Sequence, residues 1–78
     1  MEKKFSEYNI HQKLDLVIRE MVEKEVRFKD ALNEFEKIFI EAVSKKCKGN
    51  KSKMAQAMGV HRNTLHSRAK ALKIKKLY

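Results

Sequence analysis

Apolar residues recur at helical spacing along most of this chain. Ile10, Leu14, Val17, Ile18, Met21 and Val22 form one stripe, which predicts a helix over about 10–25. Asn9 stands where it can cap that helix, behind a polar segment, 1–9, expected to be flexible. A second stripe, Phe28, Ala31, Leu32, Phe35, Ile38, Phe39, Ala42 and Val43, predicts a longer helix over about 28–47. Its acids come early (Asp30, Glu34, Glu36) and its lysines late (Lys45, Lys46, Lys48), as the helix dipole favours. Leu16 and Ile40 lie off these stripes. Gly49 is expected to supply the left-handed residue that closes the second helix.

After Gly49 the pattern shortens. Asn50 is expected to cap a helix over about 51–58, with Met54, Ala55 and Met58 facing inward. Ala55 is small where two helices must cross closely. Gly59 then lets the chain reverse without a Cβ penalty, and Val60 follows as an apolar plug. The last helix, about 61–72, carries Leu65, Ala69 and Leu72 as its buried stripe. With no proline and only two glycines, the expected fold is all-α: a pair of helices (10–48), a bihelical unit joined by a tight turn (49–73), and a basic tail (74–78).

Length changes this picture. A single core in 78 residues seldom supplies more than ~3–5 kcal/mol, so such chains lean on disulfides, metals or a second copy. One cysteine, Cys47, cannot form an internal disulfide, and its type fits a small apolar residue ending the second helix. His61 and His66 are five apart, which does not place them as a zinc pair on one helix face. No metal or other cofactor is expected. A homodimer is, built over 10–47 from Leu14, Leu16, Val17, Met21, Phe28, Leu32, Phe35, Phe39 and Ile40.

Charge then separates the halves. The formal net charge is +9, but residues 1–41 hold ten acids and eight Lys/Arg, whereas 42–78 hold eleven Lys/Arg and no acid. A foldable half without acids implies a polyanionic partner. On the last helix, the side opposite Leu65, Ala69 and Leu72 carries Asn63, Ser67 and Lys70, flanked by Thr64 and His66, with His61 and Arg62 in the first turn. That is the form of a helix entering the major groove of double-stranded DNA with its N-terminal residues against base edges. Arg62 suits guanine O6 and N7, and Asn63 suits adenine. The sequence shows no secretory or membrane-spanning run, no carboxylate pair, no nucleophile–base set and no phosphate loop; a cytoplasmic protein that is not an enzyme is expected.

The stretch GNKSKMAQAMGVHRNTL resembles the Fis-type helix-turn-helix, shared by the factor for inversion stimulation and the C-terminal domains of NtrC-type transcriptional activators. Gly49, Asn50, Lys53, Ala55, Gly59, Val60, Arg62, Thr64 and Leu65 fit the family pattern. Upstream, FKDALNEFEKIFIEAVSKKCKGN resembles the family's long second helix, and the likeness spans about 10–74. It implies a four-helix subunit whose first two helices intertwine with a partner chain, while the last two bind and bend DNA in a bacterial nucleoid. Base contacts are expected from His61, Arg62, Asn63, Thr64 and His66. Phosphate contacts are expected from Asn50, Lys51, Ser52, Lys53, Ser67, Arg68 and Lys70. The chain departs from the family at His66 and Ser67, where Arg or Lys is common, and its first nine residues do not suit the β-hairpin arms of the Fis protein. Two roles fit: the DNA-binding end of an NtrC-type activator, partnered by the rest of a multidomain chain, or a stand-alone architectural DNA-bending protein. A basic helical module for RNA or acidic proteins is a more remote alternative.

Overall fold

A computed structural model describes residues 4–74 of the protein. Among these residues it is all-helical: a short 3-10 turn (Phe5–Glu7), then α1 (Ile10–Glu23), α2 (Phe28–Lys46), α3 (Lys51–Met58) and α4 (Arg62–Ala71). The 3-10 turn falls in the segment expected to be flexible. Most of the expected basic tail, 75–78, lies outside the described residues, as do residues 1–3. The chain divides into two compact units, Met1–Ala31 and Leu32–Tyr78.

In the first unit, Asn9 caps α1 in both directions. Its Oδ1 accepts from the Gln12 N–H at 2.8 Å, and the Gln12 side chain accepts from the Asn9 N–H at 2.9 Å. This reciprocal box satisfies two donors that a helix start would leave open. Lys13 places its Nζ 5.5 Å from the Phe5 ring centroid. Exposed Arg19–Asp15 and Lys24–Glu20 pairs decorate α1 one turn apart and contribute little. No residue of α1 is buried.

The second unit has an interior. Ile40 and Met54 are fully buried, and Ala55, Leu65 and Ala69 nearly so. Val43, Cys47, Met58, Leu72 and Ile74 pack against this cluster. Met54 and Ala55 from α3 meet Leu65 of α4 there, which is the inward face their spacing implied. Ile40 is a correction. It was expected on a face shared with a second copy, but its side chain is 0% exposed and has nothing left to offer a partner. The reason is that α2 has two faces. Glu36, Ile40, Val43, Ser44 and Cys47 point inward in this unit, while Leu32, Phe35, Ile38 and Phe39 remain exposed.

All four helices end the same way. At each terminus one amide reaches back five residues: Val26 to Met21, Gly49 to Ser44, Val60 to Ala55, and Ile74 to Ala69. The residue just before each of these amides is left-handed, namely Glu25, Lys48, Gly59 and Lys73. This is the Schellman closure. At the end of α2 the left-handed turn therefore begins at Lys48 (φ 51°), one residue before the expected Gly49, which is itself at φ 75°.

Candidate nucleic-acid interface

The bihelical unit is built from caps and a turn. Asn50 Oδ1 accepts from the Lys53 N–H at 3.1 Å and starts α3. Gly59, at φ 70°, donates its N–H to the Gln56 carbonyl at 3.2 Å and reverses the chain. His61 then caps α4: its Nδ1 accepts from the Asn63 N–H at 3.2 Å. α4 thus begins at Arg62, one residue later than its spacing suggests, because His61 takes the capping place. With Nδ1 accepting, the neutral ring carries its proton on Nε2, so the outer edge of His61 is a donor.

The buried side of α4 is Leu65 and Ala69, and its outer side holds most of the residues the sequence singled out. His61, Arg62, Asn63, Thr64, His66, Ser67 and Lys70 are all exposed, as are Asn50, Lys51, Ser52 and Lys53 around the start of α3. The exposed N-terminal turns of α3 and α4 point amide donors outward, and no acid lies in sequence beyond Glu41. Such a surface presents donors and positive charge to a polyanion.

Arg68 is different. It was expected on a phosphate, yet it is only half-exposed and its guanidinium is held by a carboxylate from α2. Nε donates to Glu36 Oε2 and Nη2 to Oε1, both at 2.6 Å. The Arg68 hydrogen bonds hold the Glu36 carboxyl below the usual carboxylate range; partial burial opposes this and the Arg68 charge adds to it. The same partner raises the Arg68 pKa further. Glu36 was not among the residues the sequence singled out for this site. Its signal was its place one turn before Ile40 on the inner face of α2. Ser44 lies on the same inner face, its hydroxyl buried with no hydrogen-bond partner.

Among the described residues no cluster of His, Cys, Asp and Glu could hold a metal ion, and no helix is long and apolar enough to cross a membrane.

Two packed helices joined at a left-handed glycine, with a polar basic outer face on the second, define a helix-turn-helix DNA-binding regulatory domain. Residues 31–72, more than half of the chain, match the family described as bacterial regulatory protein, Fis family, and the chain belongs to it. The matched stretch begins at Ala31, so the likeness over 10–30 rests on the sequence resemblance alone. No curated protein and no solved structure matches the chain.

Proposed function

We propose that the protein is a homodimeric, sequence-selective reader of double-stranded DNA in transcription regulation, and that it forms the DNA-binding end of an NtrC-type activator. The observation that carries the reading of DNA is the exposed, acid-free face of α4 behind the Gly59 turn. On this reading Arg62 and Asn63 meet base edges from the first turn, with His61, Thr64 and His66 beside them. Lys51, Lys53 and Lys70 meet phosphates, helped by Asn50, Ser52 and Ser67. The role is binding rather than catalysis, in the cytoplasm of a bacterium.

Dimerisation is supported by the exposed apolar surface. Leu14, Leu16, Val17, Phe28, Leu32, Phe35 and Phe39 are all at least 43% exposed, and Met21 is half-buried. Apolar residues this dense on two consecutive helices mark an association surface. Phe35 and Phe39 lie with ring centroids 5.8 Å apart and planes tilted by 35°, an aromatic pair on the exposed face of α2.

The test is binding to a duplex selected from random sequence, across a range of salt. The logarithm of affinity should fall with log salt by about 0.9 per neutralised phosphate. Arg62→Ala should cost ~1–3 kcal/mol on the selected duplex and narrow its advantage over random DNA. A salt-independent affinity removes the electrostatic reading, and sedimentation as a monomer at micromolar protein removes the dimer. A stand-alone architectural DNA-bending protein is the second reading within the family. The natural reading frame separates the two: a frame that extends well upstream of Met1 makes an activator, and one that starts there makes an architectural protein.

A further inference from the structure

One carboxylate interrupts the acid-free half of the protein, and it arrives from outside it. Glu36 reaches from α2 to Arg68 on α4 through two short bonds in a fork. Among the described residues this is the one ion pair that joins two different helices. Arg68 flanks the buried Leu65 on α4 and is half-exposed, so its stem leaves the helix at the edge of the core.

Two consequences follow from that fork. A guanidinium bound at two nitrogens has a fixed direction and an offset charge, so its remaining N–H groups meet a phosphate only where that direction allows, and with less net charge. A phosphate contact is also indifferent to sequence: it strengthens binding to every duplex alike. Holding one cation away from the backbone therefore lowers affinity for selected and random duplexes alike, and by itself leaves their ratio unchanged. The same fork ties the middle of α4 to α2 and fixes the angle at which Arg62 and Asn63 are presented.

We infer that Glu36 is a positioning residue for sequence discrimination: it withholds Arg68 from the DNA backbone and sets the pose of α4. This rests on the reading of α4 as the helix that enters the groove.

The experiment compares the wild-type chain with E36Q, R68Q, E36Q/R68Q and, as a charge-matched control, E23Q on the exposed side of α1. Each is titrated with a selected duplex and a random duplex over a salt series, at a temperature where circular dichroism shows wild-type helicity. In E36Q the released Arg68 takes a phosphate, so the slope steepens by about 0.9. Both duplexes gain from that contact, but the selected site also loses the fixed pose of α4, so the ratio between them falls. E36Q/R68Q returns to the wild-type slope, while E23Q keeps both slope and ratio. R68Q keeps the wild-type slope but loses part of the ratio, because the tie to α2 is gone. A slope that flattens by about 0.9 in R68Q makes Arg68 a phosphate contact and overturns the inference. So does an E36Q chain indistinguishable from wild type or from E23Q. Where E36Q loses helicity at every temperature, the slope of R68Q decides alone. A wild-type chain without salt-dependent duplex binding sinks the DNA reading itself, which is a separate outcome.

Discussion

Replacing Ile40 by alanine tests where the interior of this protein lies. Ile40 is 0% exposed, against Met54 and Leu65, which are themselves at 0% and 1%. The substitution removes three buried carbons, about 2.4 kcal/mol at ~0.8 kcal/mol each. A cavity among helices that relax only in part brings the loss to ~3–4 kcal/mol, inside the ~2–5 kcal/mol range for such truncations. A single core of this size supplies about 3–5 kcal/mol, so this one change removes a large share of it. Ile38→Ala, two residues away and 56% exposed, should lose about 1 kcal/mol or less in the single chain, at protein concentrations too low for a dimer. Urea unfolding followed by far-UV circular dichroism measures both, and the gap between them should persist as the protein is diluted. The placement of Ile40 in the core is refuted if it loses no more than Ile38, or if its excess loss vanishes as the protein is diluted.

Other expectations concern the backbone and the pair on α2. Gly59→Ala should destabilise by ~1–2 kcal/mol through conformation alone, since an added Cβ meets nothing within 4 Å but the residue sits at φ 70°. Lys48→Gly should act in the opposite direction, by up to ~1 kcal/mol; equal signs in thermal melts of the two variants would discard the left-handed assignment. Ser44→Ala should leave stability unchanged or raise it, because its buried hydroxyl has no partner to lose; a drop above ~1 kcal/mol on urea unfolding would reveal a bond to that oxygen. Glu36 has a carboxyl held low in the folded state, so its stabilising effect is complete above the ordinary carboxylate pKa of ~4.3 and disappears as pH falls through its lower folded value. Melting temperature should therefore fall less on acidification in Glu36→Gln than in wild type, and parallel acid profiles would show that the pair contributes nothing.

The bihelical unit was legible in the sequence because its determinants are local. Asn50, Ala55, Gly59 and the Leu65–Ala69 spacing each specify a cap, a close crossing, a reversal or a buried stripe within a few residues. α2 was harder to read, for a physical reason. It carries one buried and one exposed apolar face, and their residues merge along the sequence into one wide stripe. The inner face includes Glu36 and Ser44, whose polar side chains hide its period, so Ile40 looked surplus and was assigned outward. Arg68 was read without its partner for the same reason, since only the inner face of α2 brings Glu36 to α4. Lys48 was missed because glycine was assumed to hold the left-handed position, whereas the five-residue closure requires that conformation one residue earlier. His61 replaced the usual serine or asparagine cap with a ring nitrogen, which no short pattern announces.

α1 is a helix without an interior of its own. A free helix of 14 residues is marginal in water, and its capping box with two exposed ion pairs adds only small increments. If a second copy covers it, as proposed, its order depends on how many copies are present. Abundance would then act on structure as temperature does: a dilute protein melts first over its leading segment, while the unit around Ile40 and Leu65 keeps its own interior. Expression level would become a variable of the fold as well as of occupancy on DNA.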